Sequence, residues 1–516
     1  MIDIKMVTEP IKTVKDRIVQ LIDDKLFDFR VTKEKIGSLV ISELELVGRF
    51  LISNWIYYYF SNESKLLYFL KSDDFKRFIS VFTELNKKDT YFNAIIEAID
   101  TYISIKWVNI DFKNFSYYDK KNNELFIFNN KDVIHITGKS IKIIDNWKND
   151  IIFKPTNFDK WNFIKNPNTD IDYISKLLSS VNFKKSILDI DEIHLVLEYY
   201  IYSLFFPELL QNKVIVNIIW DMWSGKSYFL ELLYKILQWN SVSLSTLPDK
   251  DSNLELMLAS NTFVFLDNVE INVRSLKSKV DMICSASTGA SSQKRKLFTN
   301  ETQFNQKLST NIAFTAIEPQ FNRRDVADRS LIFILDRRKE YSSSNITQAT
   351  YLNNRDTILS MLCYKFQEIL KNISVYKEYS TNFRMADFAT FILNNFKNDT
   401  SKLENIFKKL EIIQQEFTNT NDMLLIILED ILEFNSKVFD ENKFYSASEL
   451  HKILSKHSYH KDNRHLKYAY DNPKSLWKAL NNNIKSYRNT AWIDIQVHMK
   501  GWNKRVYSIT KLQDKE

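Results

Sequence analysis

The sequence predicts an α/β core flanked by a mainly helical N-terminal region, a small β-rich module and a basic C-terminal domain. Three observations carry this. The run KVIVNIIW, broken within only by Asn217, has the near-continuous apolar character of a strand buried on both faces. Just beyond it, Phe229, Leu232, Leu233, Ile236 and Leu237 repeat at the spacing of one helical face. Finally, 516 residues hold only six Gly and seven Pro, against roughly 36 and 26 at average usage. Collagen-like and Gly/Ser-linker proteins are thereby excluded, and an all-β sandwich needing many tight turns is disfavoured. An A+T-rich coding sequence, which favours Lys, Asn, Ile, Phe and Tyr, accounts for the scarcity; each surviving Gly is therefore informative.

The length suits three or four domains. Cys284 and Cys363 are far apart and without companions at ligand spacing, so neither a disulfide framework nor a zinc ribbon is expected. The start, MIDIKMVTEPIKTVKD, is too polar for a signal peptide, and no uncharged run reaches about 18 apolar residues. The expectation is a soluble cytoplasmic protein, in the host cytoplasm if viral, with no membrane partner.

Taken in order, residues 1–100 read as helical, including LVGRFLISNWIYYYF and FKRFISVFTEL. Alternation in WVNIDF, ELFIFNN, DVIHIT and IKIID makes 101–157 a β-rich module. Asp111 stands alone in WVNIDF, without a second carboxylate on its face. A helical collar is expected over 158–207, an α/β core over 208–340 and a helical lid and connector over 341–440.

The last 76 residues, 441–516, hold fifteen Lys/Arg against seven Asp/Glu, a surplus of eight in a chain whose net charge is +7. This tail is the candidate for a polyanion. Ser446 and Glu449 form a capping-box signature before ELHKIL. Asn472 and Pro473 open a second helix, with Leu476, Leu480, Ile484 and Tyr487 as its apolar stripe. Ile493, Ile495, Val497 and Met499 then alternate toward a turn at Gly501. Two helices and a basic hairpin look like a winged helix. Lys474, Lys478, Lys485 and Arg488 on the second helix and Lys500, Lys504 and Arg505 on the wing would then meet DNA. Five of the seven His lie here, without Cys or carboxylate companions for a metal.

Two Gly-Lys-Ser tripeptides provide an internal control. A phosphate loop needs a buried strand before it and a helix after it, whose N-terminus faces the anion. Gly138-Lys139-Ser140 is followed by the strand-like IKIIDN and reads as a chance match within a hairpin. Gly225-Lys226-Ser227 has both flanks. Its one departure from GxxxxGK[ST] is Trp220 in the place of the first Gly. The expected contacts are Ser224, Gly225, Lys226, Ser227 and Tyr228 on the ATP phosphates, with Ser227 on Mg²⁺. Forty-one residues after Lys226, NTFVFLD ends in Asp267, a second Mg²⁺ ligand. The neighbour that is Glu in many such ATPases is here Asn268, with Glu270 as a stand-in.

From about Asp191 to Arg338, this order resembles the helicase-type AAA+ ATPases of viruses and mobile elements: superfamily 3, poxvirus-type primase-helicases and relatives of the minichromosome maintenance proteins. The resemblance implies an AAA+-like P-loop core, with Lys294, Arg295 and Lys296 on a loop facing DNA. It implies a polar sensor of the γ-phosphate at Thr315 or Glu318. An arginine finger reaching a neighbouring subunit matches Arg329 best, with Arg323 or Arg324 as substitutes. Arg384 would be a second sensor on the lid. The expected function is an ATP-dependent DNA-translocating motor, a replicative helicase of a virus or mobile element. It would act as a homo-oligomeric ring, a hexamer being one form. A DNA-binding initiator or regulator with a degenerate, switch-like loop and an ATPase of antiviral defence are the alternatives.

Overall fold

The structure is a computed structural model. It describes residues 13–23, 27–53, 56–147, 151–154, 160–219, 226–238, 242–269, 276–295, 303–308, 310–316, 323–336, 344–396, 400–419, 423–434, 439–440, 443–460, 472–490, 493–500 and 504–511. The chain forms two compact units, one of Met1–Pro167, Gln293–Asn305 and Leu359–Lys371, the other of Asn168–Ser292, Gln306–Ile358 and Asn372–Glu516.

In the first unit, α1 (Val14–Asp23) precedes α2 (Phe29–Val47), which starts where Asp28 accepts a hydrogen bond from the Val31 amide. Ile36, Val40 and Leu44 of α2 face the core at helical spacing. The expectation of a helical region to residue 100 fails next. The segment LVGRFLISNWIYYYF leaves the helix at Gly48 to form β1 (Gly48–Ser53), β2 (Ile56–Ser61) and β3 (Leu67–Phe69). Its aromatic and β-branched residues favour a pleated, half-buried surface, and the helix-like clustering of its apolar residues hid the change. Then come α3 (Asp73–Thr83), α4 (Thr90–Ile105) and β4 (Val108–Asn109) in a sheet ordered β3-β2-β1-β4, with β4 parallel to β1. Two of the surviving glycines are explained here. A Cβ on Gly37 would lie 2.6 Å from the Ala98 Cβ where α2 meets α4, and one on Gly48 would overlap the Tyr59 hydroxyl and the Phe60 carbonyl.

An antiparallel meander follows, β5 (Ser116–Asp119), β6 (Glu124–Asn129), β7 (Asp132–Thr137) and β8 (Ile141–Asp145). Gly138-Lys139-Ser140 is the turn of its last hairpin, closed by the Thr137 amide donating to the Ser140 carbonyl at 2.8 Å. The helix Arg355–Ile373 supplies further partners. Ser360 Oγ accepts from the Ile164 amide at 2.9 Å, Tyr364 Oη from the Asn166 amide at 3.1 Å, and the Leu370 carbonyl from Asn123 Nδ2 at 2.9 Å.

The second unit opens with α5 (Tyr173–Ser179) and α6 (Ile190–Ser203), while 160–172 is irregular where a helical collar was expected. Four parallel strands follow in the order β10-β13-β9-β14: β9 (Ile215–Ile219), β10 (Phe263–Leu266), β13 (Asn311–Ala316) and β14 (Ser330–Ile334). A parallel bridge from Ser245 to Leu266 begins a fifth row beyond β10. On one face lies α7 (Lys226–Gln238), Tyr234 meeting Phe265 at 5.1 Å. On the other, α8 (Asp251–Ser260) and α9 (Leu276–Ser287) pack Leu254, Leu258, Val280 and Ile283 against Ile215, Val264, Ile312 and Phe314. The sheet is covered on both faces, as a parallel sheet requires. The strands β11 (Ser291–Arg295) and β12 (Gln303–Lys307), most of whose residues belong to the first unit, pair as a separate two-stranded sheet.

At the centre of the sheet Asn217 is 1% exposed, between Phe314 and Ile332 in register, and neither amide atom has a hydrogen-bond partner among the described residues. A buried amide left in that state costs on the order of 1–3 kcal/mol. Asn217→Val, which also suits a strand, is expected to raise stability by about 1 kcal/mol. A urea midpoint that falls or stays put would show that the amide is satisfied or that the site is too tight for the methyls.

The short α10 (Arg324–Ala327) leads into β14, and after that strand come α11 (Ser344–Asn353), α12 (the helix Arg355–Ile373), α13 (Ala386–Asn395), α14 (Thr400–Asn419) and α15 (Met423–Phe434). Lys409 of α14 donates to both carboxylate oxygens of the buried Glu192, at 2.9 and 2.8 Å. The C-terminal part holds β15 (Tyr445–Ser446), α16 (Ala447–His460), α17 (Pro473–Thr490), β16 (Ile493–Lys500) and β17 (Lys504–Lys511), in a sheet ordered β15-β17-β16. The capping box forms, the Ser446 amide donating to Glu449 Oε2 at 2.7 Å and the Glu449 amide to Ser446 Oγ at 3.3 Å. Leu450, Leu454, Leu476, Leu480, Tyr487, Ile493, Ile495 and Tyr507 make its core.

Candidate functional site

Three neighbouring strands run parallel, so their carboxyl ends open on one side, the place where open α/β sheets receive ligands. Directly after β10 comes Asp267, and near the end of β13 comes Thr315. After β9 the chain enters 220–225, which lies outside the described residues and includes Ser224 and Gly225; it returns as α7, whose first residue is Lys226.

Ser227 and Thr315 converge on one atom. Ser227 Oγ donates to Asp267 Oδ1 at 2.5 Å and Thr315 Oγ1 donates to the same oxygen at 2.7 Å. Thr315 also accepts from the Asn268 amide at 2.9 Å, and its carbonyl accepts from the Val269 amide at 2.8 Å. A half-buried carboxylate is thus held by hydroxyls from a strand and from the first turn of a helix. The first turn of a helix directs its leading amides and the positive end of the helix dipole outward, which attracts an anion. Asn268 sits in the left-handed region at φ 45°, exposed at the mouth of the site. Asn tolerates that conformation better than most residues. Tyr228 is half-buried on α7, where its hydroxyl adds to the burial that raises the pKa of Tyr351.

A magnesium ion takes oxygen ligands and keeps several waters, so one carboxylate, one hydroxyl and a phosphate suffice to hold it. Asp267 and Ser227 have that chemistry. Among the described residues no cluster of three or more His, Cys, Asp or Glu offers a metal site made by protein alone.

The arginines lie elsewhere. Arg329 immediately precedes β14, at the amino end of the sheet and so opposite Asp267; its Nη1 donates to the Asp325 carbonyl and lies 3.9 Å from Cys284 Sγ. Burial is the main cause pushing the Cys284 thiol up to about 11. Arg323 is clasped by Asp281 and Asp325. Arg324 is 70% exposed and only 3.9 Å from Asp328. Arg384 is not brought to the Ser227–Asp267 group, which corrects its expected contact with nucleotide. It pairs with Asp328 at 2.9 Å, because the turn between α10 and β14 presents that carboxylate to the segment before α13.

Lys294 and Arg295 end strand β11, and Lys296 lies outside the described residues. In the C-terminal part Lys474 is exposed in the first turn of α17. Lys478 and Lys485 follow on that helix, Lys500 and Lys504 are register partners at the hairpin turn, and exposed Arg505 lies over the Trp477 ring at 5.5 Å. Arg488 is drawn to Asp494 at 3.5 Å, so it is less free for a nucleic acid than the sequence suggested.

Sequence reasoning had left Thr315 and Glu318 open. Of the two, Thr315 bonds to Asp267, and Glu318 lies outside the described residues. The carboxylates Asp281 and Asp325 were missed, since nothing in their local sequence marks them as partners for Arg323.

Residues 218–404 match the family model described as the actinomycete integrative conjugative element replication protein. No curated protein matches the chain. Among solved structures, the A form apo structure of the NrS-1 C-terminal region is 12% identical at a TM-score of 0.41, covering 91% of this chain and 98% of that one. A second apo structure of that region is 11% identical at 0.42, covering 91% and 97%. The family match likens part of this chain to a replication protein of a mobile genetic element. Among the described residues no helix is long and apolar enough to cross a membrane.

Proposed function

We propose that the chain is an ATP-driven motor on DNA, serving replication of a mobile element. Residues 208–340 act as a P-loop ATPase core of AAA+ type and residues 441–516 as a winged helix. The observation that carries this is the meeting of Ser227 and Thr315 on Asp267, at strand ends beside the N-terminus of a helix that opens on Lys226 after Ser224-Gly225. In this reading Lys226 and the loop amides hold the β- and γ-phosphates, Ser227 and Asp267 hold the ion, and Thr315 fixes the carboxylate toward it. Bound there, the magnesium ion neutralises charge on the transferred phosphoryl group. Asn268, an amide where a general base often stands, orients water rather than deprotonating it.

ATP turnover measured with and without single-stranded DNA, alongside mass photometry, tests the whole. Absence of turnover in an assembled, DNA-bound state would sink the motor. It would favour a second reading, a nucleotide-gated initiator, which Trp220 and the left-handed Asn268 motivate.

The finger is better assigned to Arg324 than to Arg329. A residue that acts on a neighbouring subunit must be able to leave its own chain, and Arg324 is the more exposed of the two, with a long 3.9 Å approach to Asp328. Arg324→Ala is expected to lower turnover by about 10³-fold with assembly unchanged, and Arg329→Ala to lower it far less. The opposite ranking returns the role to Arg329.

A further inference from the structure

Toward its turn, the β16–β17 hairpin exposes apolar side chains that lie outside the C-terminal core among the described residues. Along β16, Ile493 and Ile495 are 1% and 2% exposed and belong to the C-terminal core, whereas Val497 and Met499 on the same face are 38% and 62% exposed. On the other face, Phe444, 45% exposed, meets the His498 ring edge-on at 4.2 Å. Beyond the Val497–Tyr507 pair, whose Tyr507 still belongs to the core, the strand runs on about 10 Å to Lys500 at 3.4 Å per residue. The blade is framed by cationic residues, with Lys500 and Lys504 paired in register at the turn and Arg505 paired with Met499. Asn481 Nδ2 of α17 donates to the Tyr507 hydroxyl at 2.9 Å and fixes the root, and Arg505 near the turn lies over the Trp477 ring, so α17 braces one side of the blade.

We propose that this hairpin is a wedge for the junction between duplex and single-stranded DNA. The inference rests on the reading of residues 441–516 as a DNA-binding domain and specifies what they recognise. Apolar side chains inserted between bases unstack them, while flanking Lys and Arg residues hold the phosphates. A plain phosphate-binding wing needs the cations and has no use for Val497, Met499 and Phe444 in water. The surplus of eight positive charges in this segment suits a polyanion as the occupant.

The full chain is tested on three DNAs of equal charge: a fork with 2-aminopurine at its first base pair, a blunt duplex and a single strand. The wild type is expected to bind the fork most tightly and to brighten the probe. Val497→Ser/Met499→Ser, exposed enough to leave the fold intact, is expected to lose about tenfold in fork affinity and the brightening. Its affinity for the other two DNAs and its salt slope should hold. Phe444→Ser checks the opposite face with the same expected outcome. Equal binding of all three DNAs by the wild type, or equal losses on all three in the variants, overturns the wedge alone. No binding to any DNA overturns the wedge and the underlying domain reading together. Variants that dissociate an oligomer while fork binding persists assign the surface to a subunit contact instead.

Discussion

Asp267→Asn is expected to reduce ATP turnover by at least about 100-fold while leaving the fold in place. The substitution preserves volume, and the new amide oxygen can still accept the Ser227 and Thr315 hydroxyls that now meet on Oδ1. In the proposed site, what disappears is the negative charge that would offset the ion and orient it against the phosphates, an electrostatic contribution of several kcal/mol in metal-assisted phosphoryl transfer. Because Asp267 is half-buried and its hydroxyl partners are retained, the unfolding midpoint should move by no more than about 1 kcal/mol. Thr315→Val separates positioning from charge. It removes one donor to the carboxylate and should cost about 10-fold or less. Turnover in Asp267→Asn within a few-fold of wild type would mean that the carboxylate is structural and that the chemistry lies elsewhere.

The largest loss of stability is expected from Gly48→Ala. The backbone there is extended at φ −171°, which any residue can adopt, so conformational strain is not the issue. The obstacle is space, because an added Cβ overlaps the Tyr59 hydroxyl and the Phe60 carbonyl on the strand paired with β1. Tyr59 is fully buried and donates to the Leu44 carbonyl at 2.9 Å, so it cannot swing aside without abandoning that bond in the interior. Overpacking and a displaced buried hydroxyl together amount to about 3–5 kcal/mol. Gly37→Ala meets the end of one methyl group, the Ala98 Cβ, and should cost about 1–2 kcal/mol. Thermal unfolding should rank the two in that order, and a Gly48→Ala protein as stable as wild type would show that β1 and β2 can separate cheaply.

How much of this was legible depended on where the deciding interaction lay. Flanks told the two Gly-Lys-Ser tripeptides apart, because a strand-forming stretch and a helix-forming stretch leave different periodicities over ten residues. The capping box at Ser446 and Glu449 and the proline opening at Pro473 were equally local, and both are formed. Periodicity failed at LVGRFLISNWIYYYF, where crowded apolar residues suit a helix face and a two-sided strand alike and no Asn-Gly or Asp-Gly marks the turn. Glycines 37 and 48 were opaque for another reason, since the atoms that demand their lack of a side chain come from Ala98, Tyr59 and Phe60. Long separation in sequence hid the choice between Thr315 and Glu318, the pairing of Arg323 with Asp281 and the diversion of Arg384 to Asp328. Partners 40 or more residues apart leave no trace in a single sequence.

The helix Arg355–Ile373 has a consequence for inheritance. Its residues from Leu359 to Lys371 belong to the first unit, as does the stretch Gln293–Asn305. A recombination event that exchanged only codons 1–167 would strand Ile164, Asn166 and Asn123 without Ser360, Tyr364 and the Leu370 carbonyl. The N-terminal unit therefore cannot be shuffled between lineages as a cassette. It must diverge in step with the helix Arg355–Ile373, and compensating changes should couple residues 120–167 to residues 359–371.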